Sequence, residues 1–367
     1  MPAVSVIIVN YFSAPLVSRA VKSVLDQGVS CEVIVVDNSA DENETRTLKA
    51  GLPDTVQVVV NAVNTGFARA CNQAYEQSSG DAILLLNPDA YLLPGALTVL
   101  WTALGSELTL GAVGPKVFWD AERQFLMPPS TFPSLASLFW NAATRAYSGM
   151  GWLHSRRFRA FALRYWQSDR PVCVPALSGG HVLLKRSALL AAGGLFDERF
   201  FLYWEDSDLM QRLRSAGYRL WMIPQALAVH EYTHSPEKGR LISAGWPAYE
   251  KKHFQSNRLA RWLQALFPEP APMAQFPLLK PHDGDVTFTI PPAWTSGCLL
   301  EVSPNPDFVP SIGQISRGGQ TPLPAHLRER FSGGAYYARL TPCVSWPTHE
   351  MCWHYINGAP ESNVENG

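Results

Sequence analysis

The chain has 367 residues, 47% of them apolar and 17% charged, with a formal net charge of −1 at pH 7. That length suits one large domain, or one of about 250 residues with a small module beside it. The charge balance gives no global attraction to nucleic acid, and no run approaches the ~18 apolar residues of a membrane span. Six scattered cysteines without a CxxC pair argue against a zinc knuckle or disulfide framework and for a reducing compartment. Met1-Pro2-Ala3-Val4-Ser5 carries no basic leader, so a cytoplasmic protein without a signal peptide is expected.

Val4 to Val9 is a short β-branched run, the mark of a strand buried on both faces. A turn over Asn10 to Pro15 leads into helical spacing from Leu16 to Leu25. Cys31 to Val36 reads as a second buried strand ending at Asp37-Asn38-Ser39, and Thr55 to Val60 as a third. Thr65 to Tyr75 has helical spacing, and a fourth strand, Ala82 to Leu86, runs into Asn87-Pro88-Asp89-Ala90. This alternation predicts an α/β fold with a mostly parallel sheet and ligands at the carboxyl ends of its strands, where Asn10, Asp37 and Asp89 stand. No GxGxxG follows the first strand and no GxxxxGK[ST] is present, which weakens dinucleotide and P-loop readings.

Between Arg123 and Gln167 there is no Asp or Glu, while Arg145, Arg156, Arg157, Arg159 and Arg164 interleave with aromatics that include Trp140, Tyr147, Trp152, Phe158 and Trp166. Residues 153–166 could form a basic amphipathic helix lying on an anionic membrane, or an aromatic helix packed on the main domain. Nucleic-acid binding is disfavoured because no binding motif accompanies the charge. Leu177-Ser-Gly-Gly-His181 offers backbone that a ligand can approach closely, or a tight turn before a strand over Val182 to Lys185. Phe200, Phe201, Tyr203 and Trp204 then lead into Glu205, Asp206 and Asp208 and a helix stopped near Gly217. Asp206 and Ser207 sit where helix caps sit, so the acids read either as caps or as functional groups. Leu227-Ala-Val-His230 closes a further strand.

Residues 268–281 form a proline-rich linker. Short strand-like runs follow between Gly and Pro turns, predicting a small all-β sandwich over 282–358 and a tail over 359–367. With few contacts across the linker, the part before it should stand alone. Trp294, Trp346 and Trp353 read as core of the sandwich, with glycan binding as the alternative.

Val4-Ser-Val-Ile-Ile-Val-Asn-Tyr11, Val35-Val-Asp-Asn-Ser39, Asn64-Thr-Gly-Phe-Ala68, Leu86-Asn-Pro-Asp-Ala90, Leu177-Ser-Gly-Gly180, Gly194-Leu-Phe-Asp-Glu198, Trp204-Glu-Asp-Ser-Asp208 and His230 come in the order of glycosyltransferase family two. Over about residues 3 to 240 the chain resembles the rhamnosyltransferase-like branch of that family. The resemblance implies a GT-A domain over 1–267 with an acceptor-side insertion at 123–172, and the C-terminal part looks like a fibronectin type III module. It also implies an inverting transfer of a sugar, rhamnose favoured, from a dTDP- or UDP-linked donor to a glycan or lipid-linked acceptor in cell-surface polysaccharide synthesis, with peripheral membrane contact.

In that family pattern Asp89 and His230 match the ligands of a divalent cation, Mn2+ or Mg2+, with Asn87 where many members carry a first acid. Asn10, Tyr11 and Asp37 match the base site, and Asn64 and Arg69 contact base or diphosphate. Asn87, Gly179, Gly180 and Trp204 complete the nucleotide-sugar site, and His234 and Ser235 lie near phosphate. Asp206 matches the catalytic base, with Glu205 beside it. The rival readings are a hexosaminyl, galactosyl or galactofuranosyl transferase, or a non-catalytic sugar-nucleotide or glycan-binding protein.

Overall fold

The computed structural model describes residues 2–146, 148–233, 236–265, 285–330, 334–344 and 346–357. β1 (Val4–Asn10), β2 (Cys31–Asp37), β3 (Gln57–Val60) and β4 (Ala82–Leu86) are parallel and lie in the order β3-β2-β1-β4. They are linked by α1 (Ala14–Leu25), α2 (Glu42–Ala50) and α3 (Phe67–Gln77). The sheet continues through β5 (Ala90–Leu92), β6 (Leu110–Phe118), β7 (Val172–Cys173), β8 (His181–Lys185) and β9 (Arg219–His230). β6 and β9 run with the first four strands and β5, β7 and β8 against them, so the mostly parallel α/β sheet is present with antiparallel insertions.

Side chains alternate across the sheet, as strand geometry requires. Ile7, Ile34, Ile83 and Leu85 enter one core, while Val6, Ile8, Val33, Val35 and Leu84 enter the other. α4 (Ala96–Gly105) covers the second face. Between β6 and β9 the chain adds α5 (Leu135–Ala146), α6 (Ser148–Gln167), α7 (Arg186–Ala191) and α8 (Glu205–Ser215), and α9 (Pro236–His253) and α10 (Arg258–Ala265) follow β9.

The C-terminal part has β10 (Val286–Thr289), β11 (Cys298–Ser303), β12 (Ile312–Ser316), β13 (Gln320–Leu323), α11 (Ala325–Arg328), β14 (Gly334–Pro342) and β15 (Met351–Asn357). An antiparallel sheet β12-β11-β14-β15 stands beside the pair β10-β13. The linker at 268–281 and the tail at 359–367 lie outside the described residues.

This part does not stand apart. Trp119 and Phe125, which follow β6, are buried in one core with Phe288, Leu300, Val302 and Tyr336. Leu126 and Gly313 exchange backbone hydrogen bonds of 2.8 and 3.1 Å. Leu299 joins the main core, where Phe158, Leu163, Tyr165 and Trp166 of α6 are buried. Few contacts across the linker were expected; a shared core is what forms. For the same reason the packed reading of 153–166 holds for its second half: Phe158, Leu163, Tyr165 and Trp166 face a core that includes Leu299 of the C-terminal sheet. Trp294 and Trp353 pack against that core, and Trp346 is 50% exposed.

A buried ion network fixes the contact. Arg159, fully enclosed in α6, donates through Nε to Glu301 of β11 at 2.8 Å. Arg339 of β14 donates to both oxygens of the same carboxylate at 2.9 Å and to Ser155 of α6 at 2.8 Å. Burial pushes the Glu301 carboxyl up, but the two guanidinium charges outweigh it and hold it below its ordinary value. Breaking a buried pair from one side strands the opposite charge at a cost of about 3–5 kcal/mol. Glu301→Gln is therefore expected to lose stability on that scale in chemical denaturation; a loss under ~1 kcal/mol would show that the network is not what joins the two parts.

Candidate active site

The antiparallel register of β5 and β9, with Ala90 opposite His230, sets Asp89 and His230 side by side, Oδ1 to Nε2 3.1 Å apart. The Glu231 N–H donates to the Asp89 carbonyl at 2.9 Å and closes this corner. His230 is 5% exposed, and neither ring nitrogen has a hydrogen bond of good geometry. Burial pushes the Asp89 carboxyl up, but the His230 and Lys238 charges outweigh it, so it stays ionised. His181, at the start of β8, lies edge-on to His230 with ring centres 5.5 Å apart. Burial, and then the His230 charge, push it down to about 3, so it is neutral. Gly180 lets this corner close, since a Cβ there would lie 2.8 Å from Asn87 Nδ2 and 3.3 Å from His230 Cε1.

Two residues in the left-handed region, Tyr203 (φ 69°) and Trp204 (φ 74°), precede α8. Each costs about 1–3 kcal/mol and persists only if its surroundings enforce it. Here Trp204 Nε1 donates to the Ile242 carbonyl at 2.7 Å, and its ring lies 5.2 Å from both Trp246 and Tyr249 of α9. Trp204 is thus held in an aromatic cluster, and it occupies the cap position of α8 without a side-chain cap. That overturns the cap reading of Asp206 and Ser207, which lie inside the first turn.

The acids of that turn have separate environments. Asp206 Oδ2 accepts from the Gly179 N–H at 3.3 Å, and Oδ1 from the Ser207 N–H at 2.6 Å. Burial still raises its pKa. Glu205 is 5% exposed with Oε2 unpartnered; burial, then the Asp206 charge, push its pKa well above the ordinary range. Its charged form is therefore the disfavoured one. Asp208 is fully enclosed and bonded to Arg212 Nε (2.8 Å), Lys252 Nζ (2.6 Å) and His253 Nε2 (2.8 Å). It anchors α8 to α9, and these partners outweigh burial and hold its carboxyl below the ordinary value, which makes it a weak base.

At the ends of β1 and β2, Asn10 and Asp37 are both fully enclosed. Asp37 accepts from Asn10 Nδ2 at 3.1 Å, from Ser39 Oγ at 2.5 Å and from Thr45 Oγ1. Asn10 also donates to Glu44 at 3.1 Å. These two stitch the strand ends together, leaving Tyr11, 55% exposed, as the group that faces solvent. Asn64 accepts from Asn38 Nδ2 at 2.8 Å and from the Gly66 N–H at 2.9 Å. Arg69 lies 4.0 Å from Glu198 on the surface.

The structure thus joins Asp89, His230, Asn87, Gly180, Gly179 and Asp206 into one contiguous rim, and leaves Asn64 and Arg69 in separate contacts. His234 and Ser235 lie outside the described residues. Sequence reasoning assigned no role to His181, Tyr203 or Lys238. Their signals were the residue after Gly-Gly and the aromatic run before the acids; for Lys238 there was none.

The model of Glycosyl transferase family 2 matches residues 5–182. An uncharacterized protein of Mycobacterium tuberculosis (strain CDC 1551 / Oshkosh) is 31% identical over 263 residues, 71% of this chain and 76% of that protein. An N-acetylglucosaminyl-diphospho-decaprenol L-rhamnosyltransferase of Mycobacterium tuberculosis is 29% identical over 275 residues, 71% of this chain and 86% of that enzyme. Among solved structures, a mannosyltransferase from Pyrobaculum calidifontis in complex with GDP-Man and Mn2+ superposes with a TM-score of 0.46 at 18% identity, over 73% of this chain and 71% of that one.

The Asp206 environment makes a specific claim testable. Its raised pKa means that ionisation costs folding free energy as pH climbs past the unfolded value, so a neutral amide should fold at least as well. Asp206→Asn is expected to lose turnover by at least ~10²-fold, the usual scale for a general base, with melting temperature unchanged or higher. A variant that keeps its rate while losing ~1 kcal/mol of stability would make Asp206 a structural residue.

Proposed function

Because the chain belongs to Glycosyl transferase family 2 and is a glycosyltransferase, we propose that it moves rhamnose from a dTDP- or UDP-linked donor, with inversion and with a divalent cation, to a lipid-linked acceptor in envelope polysaccharide synthesis. The observation that carries the reading is Asp206, a half-buried carboxylate of raised pKa, on the same rim as His230 and the ionised Asp89. The relative that is an L-rhamnosyltransferase with a diphospho-decaprenol acceptor in its name supports the choice of sugar and acceptor.

Asp89 and His230 fit a cation. A buried imidazole with no well-formed hydrogen bond faces an ionised carboxylate, and the oxygen and nitrogen donors suit Mn2+ or Mg2+. No third His, Cys, Asp or Glu joins them among the described residues, so Asp89 and His230 are the side chains that would hold it. The cation supplies the positive charge that a departing nucleoside diphosphate requires.

The chain's own groups do the rest. Asp206 takes the proton of the acceptor hydroxyl as that oxygen attacks the sugar carbon. Burial disfavours a charge on Glu205 next to it, which limits repulsion of the Asp206 carboxylate. Gly179 and Gly180 let the sugar approach the backbone, and Tyr11 offers a ring to the base. Asn10 and Asp37 hold the strand end that carries Tyr11.

Screening nucleotide sugars for hydrolysis with and without manganese, then adding a polyprenyl-diphosphate acceptor, tests this. Turnover should be lost on chelation and restored by Mn2+, and Asp89→Ala should weaken donor binding only when metal is present. Full activity in excess chelator would overturn the cation assignment.

A further inference from the structure

We propose that α5, the N-terminal half of α6 and α10 together form a docking surface for an anionic lipid bilayer. The three helices contain no Asp or Glu. α5 packs on both α6 and α10, and Leu138, Ala260 and Leu263 turn inward to share one core with Phe200, Tyr249 and Phe254. What remains outside is large and apolar: Phe139 is 47% exposed, Trp152 51%, Leu259 50% and Trp262 57%.

Arginines stand among these side chains. Arg156 lies over the Trp152 ring at 4.0 Å and Arg157 over the Trp140 ring at 5.1 Å. Arg157, Arg258 and Arg261 are exposed, and no carboxylate pairs with them or with Arg156 among the described residues. Arg159, by contrast, is spent on Glu301. Aromatic and aliphatic tips interleaved with unpaired guanidinium groups match the boundary between lipid headgroups and acyl chains. A second copy would bring like charges together. A nucleic acid would leave Leu259 with nothing to stack on. No helix among the described residues is long and apolar enough to cross a membrane, so this would be attachment at the surface.

The surface also lies close behind the catalytic turn. Trp204 and Trp246 pack against the same core that Leu138, Ala260 and Leu263 enter. Docking would therefore hold Glu205 and Asp206 near the bilayer, where a lipid-linked acceptor presents its hydroxyl. This last step rests on the acceptor proposed above; the docking itself does not.

Sedimentation of the full chain with vesicles tests docking without any turnover, so its failure is distinguishable from failure of the proposed reaction. Binding is expected to vesicles of phosphatidylglycerol and phosphatidylcholine, not to phosphatidylcholine alone, and to fall as salt rises. Replacing both Arg258 and Arg261 with Gln should lower binding roughly 30-fold, two arginines' share of the attraction. Trp262→Ser should weaken the binding that survives at high salt, and donor hydrolysis in solution should be unchanged in each variant. Absence of binding to anionic vesicles, or variants that bind as well as the parent, would overturn the proposal. So would a light-scattering dimer that the same variants dissociate, because the face would then belong to a second copy.

Discussion

Two carboxylates, Glu205 buried and Asp206 half-buried, stand side by side at the start of one helix, and much of the molecule is arranged around that constraint. Neighbouring buried acids cannot both ionise cheaply. The chain separates them by depth: Glu205 is enclosed, where burial disfavours its charge, while Asp206 reaches the rim and the Gly179 backbone. That separation needs α8 to begin abruptly, which needs the left-handed pair Tyr203 and Trp204. The pair is held by Trp246, Tyr249 and the Ile242 carbonyl of α9. α9 is in turn tied to α8 through Lys252 and His253 on Asp208.

The C-terminal sheet belongs to this system through α6 and also through the cation corner. Arg330, just beyond α11, reaches Glu231 at 3.3 Å and donates to the Trp119 carbonyl. Arg19 of α1 holds the other oxygen of Glu231. Glu231 follows His230 directly and pins the Asp89 carbonyl, so groups from both ends of the chain brace the two candidate ligands.

Much of this was legible in the sequence. β1, β2, β4, β8 and β11 are mostly apolar or β-branched runs, and each stands within a residue or two of its expected place. Asp89 and His230 could be picked out because they follow or end such runs, and Asp206 because it matches the family's acid pair. β6 and β13 escaped because Gly and Pro interrupt them. Asp206 looked like a cap because local pattern cannot reveal that Trp204 takes the cap position in a left-handed conformation enforced from 38 residues away and beyond. The arginines of α6 looked alike; only tertiary pairing separates Arg159, neutralised by Glu301, from Arg157 in solvent. Asn10 and Asp37 matched a base site by order, and their burial emerged only when Ser39 and Thr45 folded over them.

The account turns on Asp206 being a base whose proton affinity is raised by burial. The pH dependence of kcat at saturating donor and acceptor measures this most directly, since it reports groups in the loaded enzyme. The account predicts a rate that falls on the acid side with a midpoint above the ordinary aspartate value of about 3.9. A profile flat down to that value, or an acid limb centred below it, would contradict the account.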